Sequence, residues 1–320
     1  MNILITGATG FVGRALLGRL CAVPGNHVAA LARGPVSDIP SNAVIVFSED
    51  FSLPEDKRSL LDNVEVVVHC GARAHIMRDD PRTSLDEYRR VNVVETMKLA
   101  YQAVEAKVRR FVFISSIKVN GETTPDGKPF TANDDPCPAD PYGISKMEAE
   151  KQLQSLAAST GMELVIIRPV LVYGPNVKAN FAKLLIWVDK GIPFPFGRVS
   201  NKRSFLYLDN LVEFVALCIT HRAAANEIFL VSDAEDISVA SMVQKIARCL
   251  GRRAVLLPIP MKLLRLGACM LGKKDTAVRL LSSLQVDTTK NSVLLGWQPP
   301  YSLDDGIEHT VKYYIEAKPR

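Results

Sequence analysis

The chain has 320 residues, 48% hydrophobic and 23% charged, proportions that exclude a disordered or collagen-like polypeptide and leave room for one large core or two moderate ones. Its 39 Lys and Arg against 34 Asp and Glu give a formal net charge of +5. The basic residues are mostly scattered, which argues against a nucleic-acid partner and for small anionic ligands.

The first half alternates apolar runs with helical patterns, the sign of a parallel sheet covered on both faces. Ile3 to Ile5 is a buried run, followed by glycines and an amphipathic stretch through Leu20. Strands are predicted at His27 to Ala32, Val44 to Phe47 and Val64 to Val68, the last two continuous β-branched runs suited to burial on both faces. A helix from Tyr88 to Ala106 leads to a strand at Arg110 to Ile114. A helix from Tyr142 to Ser159 leads to another at Glu163 to Ile167. Prolines and glycines then punctuate Tyr173 to Phe196 around a helix at Phe181 to Lys190. Later helices are predicted at Asp209 to His221, Ser238 to Leu250, Met261 to Leu271 and Leu303 to Ala317, with a strand at Glu227 to Val231.

The fold class is therefore α/β: a Rossmann-type doubly wound sheet with a smaller, mostly C-terminal α/β domain. The expected boundaries are 1–170 for the cofactor domain, with 205–235 returning to it, and 171–204 plus 236–320 for the substrate domain. Six dispersed cysteines, with no CxxC and no His at zinc spacing, argue for free thiols and no metal site. The N-terminus has no positive region or cleavage site, so a cytoplasmic location is expected. Ala254 to Leu271 is the most apolar late stretch, but Pro258, Pro260, Lys262 and Arg265 interrupt it too often for a bilayer span. A helix packed within the domain is expected there, with peripheral membrane contact as the alternative.

Gly7-Ala8-Thr9-Gly10-Phe11-Val12-Gly13 joins the first strand to the first helix. With 19 glycines in the chain such spacing alone is weak, but strand before and helix after are what a dinucleotide site requires. Glycine lets the backbone approach a pyrophosphate, and the helix N-terminus offers it unpaired N–H groups. Twenty residues beyond Gly13, where an acid would bind the ribose hydroxyls of NAD, stands Arg33. A guanidinium suits a 2′-phosphate, so NADP is favoured over NAD unless Arg33 faces solvent or stacks on adenine. Asp50 and Phe51 are candidates for the adenine edge.

Tyr142 and Lys146 lie four apart, on one helix face. The same spacing recurs at Tyr314 and Lys318; what distinguishes the first copy is Ser115-Ser116 at the end of the fifth strand, on the sheet edge where ligands bind. Carbonyl reduction leaves an alkoxide to protonate, and alcohol oxidation runs the reverse. A tyrosine carries that proton if a nearby ammonium stabilises its phenolate, and a serine orients the oxygen.

These motifs resemble the extended short-chain dehydrogenase/reductases of the nucleotide-sugar epimerase and dehydratase group. The resemblance covers nearly the whole chain: GATGFVG, VVHCGA at Val67 to Ala72, Asn92 in VNVVET, ISSIKVNG, YGISK, RPVLVYGP from Arg168, RSFLYLDNLV from Arg203, and VDTTK. It implies catalysis by Ser116, Tyr142 and Lys146 at a sugar carbon, usually C4. Gly71, Ala72, Asn92 and Arg168 join the cofactor contacts. Ser116, Lys118, Asn180, Arg203 and Arg279 are the substrate contacts it suggests, on a UDP-sugar, in a homodimer. Three positions depart from the pattern. Leu171 replaces a substrate-touching asparagine, Ile117-Lys118 replaces the Asp-Glu pair of 4,6-dehydratases, and Arg33 replaces the NAD-selecting acid. The closest expectation is 4-keto reduction of a UDP-4-keto-6-deoxy-N-acetylhexosamine for polysaccharide synthesis. The alternatives are a UDP-sugar 4-epimerase and, further off, a non-catalytic NADP-binding sensor or scaffold.

Overall fold

The computed structural model describes residues 1–34, 39–74, 81–270 and 280–318. Seven strands form one parallel sheet: β1 (Asn2–Thr6), β2 (His27–Ala32), β3 (Ala43–Phe47), β4 (Val66–His69), β5 (Arg110–Ile114), β6 (Glu163–Pro169) and β9 (Glu227–Val231). Their spatial order is β3-β2-β1-β4-β5-β6-β9. The chain moves outward on one side of β1 and then restarts at β4 on the other. That switch opens a crevice beyond the carboxyl ends of β1 and β4.

Side-chain alternation sorts the two faces. Ile3 and Ile5 pack with Val66, Val68, Val112 and Ile167 against α1 (Phe11–Cys21) and α6 (Leu208–Thr220). Leu4, Val67, Phe111, Phe113 and Ile166 face the other way, onto α3 (Thr96–Glu105) and α4 (Pro141–Thr160). The period of two is thus kept inside strands that are apolar throughout.

β3 departs from the expected two-faced burial, with Val44 57% and Phe47 52% exposed. It is the edge strand, reached by few covering side chains. The helix predicted over Tyr88 to Ala106 is really α2 (Pro81–Arg89), a π-helical segment (Arg90–Glu95) and α3. The wider turn carries Asn92 into the core.

A second sheet, ordered β10-β8-β7, comprises β7 (Leu171–Tyr173), β8 (Arg203–Tyr207) and β10 (Asp236–Ile237). Tyr173, Phe205 and Tyr207 pack there with α5 (Ala179–Asp189), α7 (Val239–Cys249) and the terminal helix Leu303–Glu316. A helix at Met261–Met270 (α8) follows α7, and Thr289–Leu295 forms another short helix. The expectation that α8 is packed inside the domain is corrected: Leu263 is 58%, Leu266 53% and Met270 78% exposed. Among the described residues no helix is long and apolar enough to cross a membrane, and the cysteines are free thiols.

Candidate active site

The turn after β1 is built as its glycines suggest. Gly7 holds φ at +70°, and Gly10 N–H donates to its carbonyl at 2.8 Å. A Cβ on Gly7 would lie 2.7 Å from Gly71 N, and one on Gly13 2.2 Å from Gly7 O. The loops after β1 and β4 therefore touch at the switch point, and neither glycine has room for a side chain. Gly10 caps α1 with no side-chain acceptor, so the first N–H groups of the helix, including those of Phe11 and Val12, are left for a ligand. The cleft beyond this turn is lined by Gly7, Thr9, Gly10, Arg33, Asp50, Phe51, Gly71 and Ala72, together with Leu31, Ala32 and Cys70. A cradle of backbone, with a helix N-terminus on one side and an aromatic ring on another, fits a dinucleotide.

Arg33 is exposed at the mouth of this cleft, its guanidinium carbon 5.8 Å from the centre of the Phe51 ring. Asp50 is occupied by its own loop: it accepts from Ser52 N at 2.8 Å and Ser52 Oγ at 2.6 Å, and pairs with Lys98 at 3.3 Å. Two predicted cofactor contacts have other partners. Asn92, 1% exposed, donates to Arg73 O and Ser145 Oγ and accepts from Arg73 N, so it ties the π segment to α4. Arg168 is also turned inward: Nε and one terminal nitrogen bond Glu150, and the other bonds Asn120 Oδ1 at 2.9 Å. Every guanidinium nitrogen of Arg168 is thus engaged within this buried cluster.

The chemical residues converge at the ends of β5 and α4. Ser116 is half-buried and caps a single 3₁₀ turn, Ile117–Val119, accepting from Lys118 N at 3.3 Å. Asp140 caps α4 by accepting from Gly143 N at 2.7 Å, with Pro141 in the first turn. A Cβ on Gly143 would lie 2.8 Å from Lys118 O, so this glycine lets the turns that carry Ser116 and Tyr142 meet. The Tyr142 ring stands edge-on to Tyr88, with centroids 6.0 Å apart. Burial, then the Asp140 charge, pushes its phenol above the usual tyrosine range.

Lys146 is 1% exposed; its Nζ donates to Ile114 O at 2.8 Å and sits 3.8 Å from the Phe113 ring centre. Burial pulls its pKa down to about 7. Because the folded value lies below that of the unfolded chain, the unfolded state binds more protons above pH 7, and stability rises with pH from there. Thermal unfolding of cofactor-stripped protein is expected to move to higher temperature between pH 7 and 9. Lys146→Met should remove that part of the slope; an unchanged slope would mean the amine is ordinary.

The terminal Tyr-Lys copy is structural: Tyr314 Oη and Lys318 Nζ both bond Asp189, at 3.0 and 2.6 Å. His69 is fully buried between Thr6 Oγ1 at 2.6 Å and Thr96 Oγ1 at 2.9 Å. It stacks on Phe113, and burial followed by the Lys146 charge holds it well below the ordinary histidine range. Its only sequence signal was a polar residue ending the apolar run of β4.

Lys118 lies near the Tyr142 ring at 5.8 Å, pairs with Asp140, and is 3.5 Å from Glu122. Arg203 on β8 is half-buried, donates to Ser282 O at 3.0 Å, and is held below the usual arginine range by burial. Asn180 is exposed in the first turn of α5. Leu171, at the asparagine position, is 41% exposed. Arg279 lies outside the described residues.

Comparisons with known proteins follow the same outline. The sequence profile of the NAD dependent epimerase/dehydratase family matches residues 3–232. A UDP-glucose 4-epimerase from Vibrio cholerae is 46% identical, covering 100% of this chain and 97% of its own. An N-acetyl-alpha-D-glucosaminyl-diphospho-ditrans,octacis-undecaprenol 4-epimerase from Escherichia coli O157:H7 is 29% identical, covering 99% and 96%. Among solved structures, the UDP-glucuronic acid 4-epimerase of Bacillus cereus in complex with NAD superposes with a TM-score of 0.80 at 24% identity, over 99% of this chain and 97% of that one. At that identity the likeness speaks for the fold.

Proposed function

The chain belongs to the NAD dependent epimerase/dehydratase family, and from that premise we propose that it is a UDP-sugar 4-epimerase. The observation that carries this is the 46% identity, over the full chain, to a protein named for that activity. It reverses the order expected from sequence, where the 4-keto reductase stood first. The meeting of the Ser116 turn with the Tyr142–Lys146 face of α4 supports chemistry at a single sugar carbon.

A dinucleotide held by the Gly7–Gly13 turn, Phe51 and Gly71 would supply a nicotinamide able to accept a hydride from the sugar C4 and return it to the opposite face. Tyr142 takes the proton from the C4 hydroxyl and later gives it back. Ser116 donates to the same oxygen and fixes its direction. Lys146, one helical turn on, in its protonated form counters the upward pull of burial and Asp140 on the phenol. Ile117 and Lys118 offer no carboxyl pair, so elimination of water has no acid and base. Residues 171–204 and 236–320 are assigned to the nucleotide sugar, with Arg203 and Asn180 toward the diphosphate.

NAD is the cofactor proposed, with Arg33 beside Phe51 as a flat face that either dinucleotide can use. One observation favours the reductase as second reading: no carboxylate stands at the Arg33 position. The test is purified protein with UDP-glucose and no added cofactor. Formation of UDP-galactose, with NAD released on denaturation, is expected. Failure to epimerise UDP-glucose and UDP-GlcNAc, together with NADPH consumption on a UDP-4-keto-6-deoxy sugar, would establish the reductase instead.

A further inference from the structure

α8 turns its apolar stripe outward. Leu263, Leu266 and Met270 recur at helical spacing on one face, and all three are more than half exposed. The segment before it does the same at strand spacing. Leu256 and Ala254 pack against the core of the smaller domain, so the alternate residues Val255 and Leu257 face solvent, 43% and 42% exposed. This segment is bonded to the stretch after α5: Phe194 N–H donates to Val255 O at 2.8 Å and Leu257 N–H to Phe194 O at 2.7 Å. Trp187 on α5, 49% exposed, contacts the Phe194 ring, and Ile192 beside it is 40% exposed. Helix α8, the extended segment before it and the end of α5 thus each expose large apolar side chains, of a kind that marks an interaction site.

Cations predominate in this part of the chain, although Arg252 pairs with Asp189 and Lys245 with Asp304. From Ile237 to Lys274 the sequence has eight Lys or Arg and no Asp or Glu, more positive charge than the net +5 of the whole chain. Lys190, Arg198, Arg253 and Lys262 are exposed beside the apolar residues, and none has a carboxylate partner among the described residues. A second copy docked on this face by a twofold axis would bring like charges together. An anionic bilayer surface meets both features, taking apolar side chains into its interface and attracting the cations at its rim.

We propose that α8, residues 254–257 and the outer face of α5 form a peripheral docking surface for anionic lipid bilayers. The inference is independent of the 4-epimerase assignment.

Full-length protein is mixed with vesicles of phosphatidylethanolamine and phosphatidylglycerol, or of phosphatidylcholine alone, and sedimented. Association with the anionic vesicles is expected, weakening as salt is raised, with a blue shift in tryptophan emission. Leu263→Asp with Leu266→Asp, and separately Arg253→Glu with Lys262→Glu, should each lower the partition coefficient by roughly tenfold or more. All four side chains are exposed, so circular dichroism and the thermal unfolding midpoint in solution should not change. No association at low salt, or equal association of both variants, overturns the proposal. So does a native dimer that the Leu263→Asp, Leu266→Asp pair dissociates without any vesicle binding, which would give this face to a second copy.

Discussion

Tyr142→Phe is expected to lower kcat for sugar interconversion by roughly 10²- to 10⁴-fold, the range that loss of a positioned proton carrier commands. The ring that packs on Tyr88 is kept, so folding and cofactor content should be unaffected. KM should move little, because the lost hydroxyl acts mainly where charge develops on the sugar oxygen. Ser116→Ala should cost less, since it removes a donor and leaves the proton carrier in place. A Tyr142→Phe enzyme with near-normal kcat would remove Tyr142 from the chemistry.

Glu150→Gln should destabilise the fold by about 3–5 kcal/mol, the cost of leaving one partner of a buried ion pair uncompensated. Both side chains of the Glu150–Arg168 pair are 3% exposed, with their closest approach at 2.6 Å. Glu150 also accepts from Ser115 Oγ, so the pair joins α4 to the ends of β5 and β6 directly beneath the Ser116 turn. The double substitution Glu150→Met, Arg168→Met should recover much of the loss, because it removes both charges. Urea unfolding midpoints measure both variants against the parent protein. A midpoint unchanged in Glu150→Gln would show that the carboxylate is not the counter-charge of Arg168.

The large sheet was readable because its strands are short, β-branched and spaced by helical patterns, and because Gly7, Gly10 and Gly13 have a steric job that other residues cannot do. Tyr142 and Lys146 were readable only together with Ser116; Tyr314 and Lys318 repeat the spacing and serve Asp189 instead. What escaped depended on distant partners. The inward turn of Arg168 is set by Glu150, eighteen residues earlier and on another element. Exposure of β3 follows from its place at the sheet edge, which no local pattern encodes. β7 and β8 pair across some thirty residues, with three and five residues each, too short for periodicity to declare. The apolar residues of α8 were visible in the sequence, but their amphipathic spacing reads alike whether the stripe faces a core or solvent.

Under the proposed 4-epimerase function, the two C4 configurations of a UDP-hexose interconvert as a hydrogen leaves C4 and returns within one site. UDP-glucose deuterated at C4, incubated with the enzyme and no added cofactor, tests it most directly. UDP-galactose that still carries deuterium at C4 is expected, and almost none with Tyr142→Phe. Product that has exchanged its label with solvent, or no product until NADPH and a keto sugar are supplied, would contradict it.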